Sequence, residues 1–245
     1  MITKSTILVF SLSMISSVYA GEVDTTNPDI IAEGGRLYDK WWEEYDLEKP
    51  TSTHPAYPKA GKLKGADTWR CKECHGWDYK GAAGAYSKGS HYSGIKGIQS
   101  LSNQGSEVIL KILKNETHQF DKVMLDYGLL RLASFVSAGQ VDISNYLEGS
   151  TTKVKANPAA GRSIYTKSCK ECHGSEGKKR NFKDDNNPEY VGTVANKNPW
   201  EAMHKLRNGH PGAFVMGDPM PHMIGELTLQ EQLDLLAYTQ TLPQK

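Results

Sequence analysis

Cys71-Lys72-Glu73-Cys74-His75 and Cys169-Lys170-Glu171-Cys172-His173 are one five-residue pattern written twice, 98 positions apart. Two thiols three positions apart, on a turn entering a helix, can each form a thioether with one of the two vinyl groups of a single haem. The histidine that follows is then held close to the iron and can bind it through an imidazole nitrogen. Zinc accepts Cys-x-x-Cys pairs as well, and so do disulfides, but neither explains a histidine directly after both pairs. The two copies use all four cysteines of the chain. The motif logic therefore predicts two covalent haem c groups, on Cys71, Cys74 and His75 and on Cys169, Cys172 and His173.

Length and composition agree with two small haem-filled units. A chain of 245 residues holds one or two domains. Only 38% of it is hydrophobic, a modest inventory for two cores. A large flat apolar ring in each unit supplies the buried area that a small domain lacks.

The N-terminus points to export. Lys4 precedes the apolar run from Ile7 to Ile15, and Val18-Tyr19-Ala20 reads as a cleavage site. Residues 1–20 are expected to be a signal peptide, removed to leave Gly21 first. The apolar run is too short to anchor the chain in a bilayer, and no other segment approaches spanning length. The expected location is the periplasm, on the side of the membrane where c-type haem is attached. Without Lys4 the mature chain has 28 basic and 28 acidic residues, a balance of zero. There is no basic stripe, so nucleic acid is not an expected partner.

The second motif sits in an ordered plan. Pro158 to Tyr165 reads as a short helix leading into it. Trp200 to Gly209 has helical spacing and stops on Asn-Gly. Pro211, Gly212, Pro219 and Pro221 mark a loop. Thr228-Leu229-Gln230-Glu231 is a capping box opening a last helix that presents Leu229, Leu233, Leu236 and Leu242 and stops before Pro243. Across residues 158–243 this order resembles a class I cytochrome c domain. The resemblance implies an all-α fold of a few helices around a covalent haem. It also implies a distal methionine ligand on the loop before the last helix, which Met220-Pro221 matches. Met216 and Met223 compete with it, whereas Met203 lies within the middle helix and reads as core.

The first copy has the same order with a loop-rich insertion. Gly34-Gly35-Arg36-Leu37-Tyr38 parallels Gly161 to Tyr165, Leu113 to His118 echoes Leu206 to His210, and Gln140 to Tyr146 echoes Gln232 to Tyr238. The expected architecture is two tandem class I cytochrome c domains, at 21–148 and 158–245, with a polar linker at 149–157. Met124, the only methionine between His75 and the linker, is the expected distal ligand in the first. His91 and His118 are the alternatives. The stretch from Trp77 to Ile98 interleaves aromatics and glycines and has no counterpart; its aromatics are expected to cover the haem.

The resemblance implies a carrier that passes single electrons between redox protein partners, each iron closed by His and Met, with no catalytic residue of its own. The alternative is a haem-bearing enzyme, or an electron-transfer subunit of a periplasmic dehydrogenase such as the thiosulfate-oxidising kind. Dihaem enzymes of that kind use a cysteine as distal ligand, and here no cysteine is left over for it.

Overall fold

The computed structural model describes residues 26–212, 217 and 219–245. The expected signal peptide and Met216 lie outside them. Among the described residues there are nine α-helices: α1 (Pro28–Glu44), α2 (Cys71–His75), α3 (Ser106–Leu113), α4 (Asp126–Ser134), α5 (Pro158–Ser168), α6 (Lys170–His173), α7 (Val191–Lys197), α8 (Pro199–Asn208) and α9 (Leu229–Thr239). There is no strand among them, only isolated bridges such as Gly81 with Lys96. Asn-Pro opens both α1 and α5. Proline suits the first turn because it has no N–H to leave unbonded. The Asn27 side chain accepts from the backbone N–H of Asp29, and Asn157 from those of Ala159 and Ala160.

Each of these helices then touches a later helix at a glycine. A Cβ on Gly34 of α1 would lie 2.0 Å from the Arg131 carbonyl oxygen of α4, and one on Gly161 of α5 would lie 1.9 Å from that of Asp234 on α9. Only glycine allows backbones so close. One turn further on, the aromatic pairs meet: Tyr38 with Phe135, and Tyr165 with Tyr238, both with ring centroids 5.3 Å apart. Each tyrosine hydroxyl donates to the carbonyl of the glycine after a Cys-x-x-Cys-His: Tyr38 to Gly76 and Tyr165 to Gly174, both at 2.7 Å. Those glycines have φ of 80°, where a side chain is strained. One arrangement therefore occurs twice, and in each half it fixes the end of the motif.

Two expectations are corrected. Gln140 to Tyr146 does not form the last helix of the first half. That helix is α4, continued by a π-helical turn at Phe135–Gly139, and Ser144–Tyr146 is only a 3-10 turn. The likeness of Gln-x-Asp and Tyr to α9 is fortuitous, because Ile143 and Leu147 pack with Leu233 and Leu236 in the second half's core. In α9 the buried face runs through Leu233 and Leu236; Leu229 is exposed, and Leu242 is buried beyond the helix end. The capping box of Thr228 and Glu231 is formed, and α5 and α8 lie where their spacing puts them. The segment 149–157, expected as a linker, is folded back on itself, with Val154 bridged to Leu147 and buried.

The two halves meet between α1 and α8 through buried polar groups. Asp39, 1% exposed, forms ion pairs with both Arg70 and Lys205. Burial alone would raise its carboxyl pKa, but the two cations outweigh that and hold it well below the usual carboxylate range. Arg36 binds Glu44 at 2.8 Å and donates to the Asn208 carbonyl at 3.0 Å. His204 is enclosed by aromatic rings. Its Nε2 lies 2.8 Å from the Gly35 carbonyl, so Nε2 carries the proton, and Nδ1 accepts from the Tyr79 hydroxyl at 3.1 Å. Burial pushes the His204 imidazole down to about 3, so it is neutral.

Replacing Gly161 by alanine is expected to force α5 off α9 and cost roughly 1–3 kcal/mol or more. Gly34→Ala should do the same to α1 and α4. Denaturant unfolding checks both, and an unchanged midpoint would contradict the contact. His204 gives a pH dependence. Its folded pKa lies below the unfolded value of about 6.5, so between those values the unfolded chain binds more protons and stability falls as pH falls. The expected loss is about 1.4 kcal/mol per pH unit below pH 6.5. His204→Gln should remove one proton's worth of that slope, and a slope equal to the wild type's would exclude His204 as its source.

Candidate functional site

In the second half the motif opens on a cavity of about 600 Å³. Pockets for cofactors run from roughly 300 to 1,000 Å³. Cys169, Cys172 and His173 lie on one side, and Met220, Met223 and His210 also line it. Its walls include Tyr165, Val191, Leu206 and Leu235, so a flat apolar ring finds apolar contact on its faces. Gly209, at φ 81°, lets the methionine loop pass the end of α8, where a Cβ would lie 2.5 Å from the Met220 carbonyl. The Met223 N–H bonds the last carbonyls of α8 at 3.1 Å, which straps the loop down. Met203 is buried in the core, as its place within α8 predicts. The residues present fit a haem: two attachable thiols, one imidazole, a sulfur ligand on the loop, and a cavity of suitable size.

The four thiols are free, so neither motif is a disulfide. Among the described residues no group of three or more His, Cys, Asp or Glu is placed to hold a metal ion. The zinc reading therefore finds no ligand set. Burial pushes the Cys169 thiol up to about 11, and those of Cys71 and Cys74 up to about 12. Burial thus keeps these three side chains in the protonated thiol form.

In the first half the motif is helix α2, closed by the Tyr38 contact. His75 Nδ1 lies 2.8 Å from the Lys96 carbonyl and donates to it, which leaves Nε2 for an iron. Burial pushes this imidazole down to about 4, so it is held in the neutral form that a metal needs. The three residues weighed as its distal partner lie in different places. His91 stacks on Tyr86 at 4.8 Å and binds Glu73 through Nδ1 at 2.6 Å. Met124 is buried just before α4, with its sulfur over Gly128. His118 faces His75, with ring centroids 6.3 Å apart and planes 30° apart.

The two motifs differ in exposure. Lys72 and Glu73 of the first are buried and paired with each other, and Lys72 sits 5.1 Å over the Trp77 ring. Trp77, Tyr79 and Tyr86 of the Gly-rich stretch are all buried. Its buried rings pack around the first motif and against His204 of the second half, whereas Tyr92 and residues 87–90 are exposed. In the second motif Lys170, Glu171 and Cys172 are exposed. Lys167, Lys178 and Lys179 are exposed nearby.

Sequence reasoning picked out Tyr38 and Tyr165 as repeated positions but missed that they orient the motifs, each following its contact glycine by four positions. His54 could not have been found, because its role depends on the insertion folding back over residues 118–120: its Nε2 donates to the His118 carbonyl at 3.1 Å.

Residues 156–238 match the family model described as Cytochrome C oxidase, cbb3-type, subunit III. No curated protein and no solved structure matches the chain. Among the described residues no helix is long and apolar enough to cross a membrane. The family match and the all-helical fold support a c-type cytochrome domain in the second half, with covalent haem and a role in electron transfer.

Proposed function

We propose that this is a periplasmic dihaem cytochrome c of two class I domains that passes single electrons between redox proteins. The observation that carries this reading is the repeated cradle. A glycine-seated helix pair places a tyrosine on the carbonyl after each Cys-x-x-Cys-His, at 2.7 Å in both halves. A chain without a second haem has no use for the same five-part arrangement around His75.

Haem, when bound, supplies one-electron redox chemistry. The chain's own residues set how that chemistry is reached. Cys71, Cys74, Cys169 and Cys172 would hold the haems covalently, His75 and His173 would each bind an iron, and Met220 would complete the second site. The first attachment site lies in packed surroundings, and the second is open on one side. The exposed second motif, bordered by Lys170 and Lys178, is the face a redox partner meets. Lys72, its sequence counterpart in the first motif, is buried and borders no surface. Contacts of this kind are small and screened by salt.

The mature protein is expected to start at Gly21 and to carry the mass of two haems; a single haem would refute the dihaem reading. Reduction by an acidic protein donor should slow as ionic strength rises. Lys170→Glu with Lys178→Glu should slow it roughly several-fold at low salt and much less at high salt. Incubation with thiosulfate, sulfite or peroxide should give no steady turnover. Sustained turnover of any of them by the isolated protein would replace the carrier reading with an enzymatic one.

A further inference from the structure

We infer that His118 is the distal ligand of the haem held by Cys71, Cys74 and His75, so that this iron is closed by two histidines. The inference rests on the dihaem reading and concerns how that first site is completed.

The two rings have the spacing that imidazoles on opposite sides of one metal would need. An imidazole nitrogen binds a metal at about 2.0 Å with its ring centre about 1.1 Å further back, so opposed rings have centres roughly 6.2 Å apart. The rings of His75 and His118 are 6.3 Å apart. Each also has its other nitrogen engaged. His75 Nδ1 donates to the Lys96 carbonyl, and His118 Nδ1 lies 3.2 Å from the Asn115 carboxamide oxygen. That leaves Nε2 of His75 for the iron, while the His118 ring is held beside it by Asn115 and by the Ile112 backbone, a contact it would exchange for the metal. The loop carrying His118 is itself held. Its N–H donates to Asn115 Oδ1 at 3.0 Å, and its carbonyl accepts from His54.

The repeat gives an independent reason. Phe135 and Tyr238 are equivalent, because each packs on the tyrosine of its own half and follows by four positions the carbonyl that a glycine touches. Counted back from these, Met220 precedes Tyr238 by 18 positions and His118 precedes Phe135 by 17. Met124 precedes Phe135 by 11, as Leu227 precedes Tyr238 by 11. Both stand two residues before the first residue of the last helix. That is a packing position, where an apolar side chain folds back onto the first turn. Met124 does so over Gly128, where an added Cβ would meet its sulfur at 2.9 Å. His91 is taken up by Glu73 and Tyr86, away from His118.

The test uses the holoprotein. Mass mapping first asks whether the Cys71–His75 peptide carries haem; its absence overturns the dihaem reading and this assignment with it. With haem present, the ferric protein should show the near-infrared sulfur-to-iron band at the intensity of one site. Met124→Leu should leave that band whole and both irons low-spin. His118→Met should raise the band towards two sites and raise the lower of the two potentials, because sulfur favours the reduced iron more than imidazole does. In His118→Ala one iron should turn high-spin while its haem stays attached. A two-site band in the wild type, half the band lost in Met124→Leu, or two low-spin irons in His118→Ala would each overturn the ligand assignment and leave the dihaem reading standing.

Discussion

The contact on which the molecule depends is a helix backbone resting on another at a glycine. At Gly34 and Gly161 no side chain intervenes, so the aromatic residue one turn later reaches its partner across the pair. The tyrosine of that pair then has its hydroxyl aimed at the glycine that ends the motif. The chain of cause runs from one missing methyl group, through an aromatic pair, to the placement of a histidine. A cytochrome domain of modest hydrophobic content has few other means of fixing its haem segment before the ring itself contributes apolar area.

How much of this was legible depended on the range of the signal. Cys-x-x-Cys-His is local and complete within five residues, and so is the capping box of Thr228 and Glu231. Helix α5 announced itself through Asn157-Pro158. Helix α4 did not. It has a glycine at position 128, no side-chain cap and a start at Leu125-Asp126, while Gln140 to Tyr146 imitates α9 residue for residue. Tertiary packing decided against the imitation, since Ile143 and Leu147 are drawn into the second half's core. That single misplacement of the last helix also removed the reference from which the distal residue could be counted back. Counted from Phe135, His118 stands 17 positions back, against 18 from Tyr238 to Met220. The burial of Lys72 was equally out of reach. Both motifs read Cys-Lys-Glu-Cys-His, and only the fold of residues 77–98 separates a covered copy from an open one.

The interface between the halves is polar where a hydrophobic seam would have served for stability. Replacing a buried ion pair by well-packed apolar groups is often neutral or stabilising. Asp39 therefore calls for another explanation than strength. It joins Arg70, the residue before the first motif, to Lys205 of α8, which lines the second cavity. Charges fixed by one another cannot rearrange cheaply when a nearby site gains or loses an electron. An interface of this kind would hold the surroundings of both motifs still, as outer-sphere transfer requires.

The asymmetry of the two motifs gives the electron a direction of approach. A partner can come close to the second motif, which is exposed and bordered by lysines, whereas the first is closed off by Trp77, Tyr79 and Tyr86. An iron closed by two histidines also has a lower potential than one closed by histidine and methionine. The covered site would then be the stronger reductant and the exposed site the stronger acceptor. An electron that reached the covered site would pass downhill to the exposed one. On the proposed ligand sets, exposure and potential would both make the second half the place where a redox partner exchanges electrons.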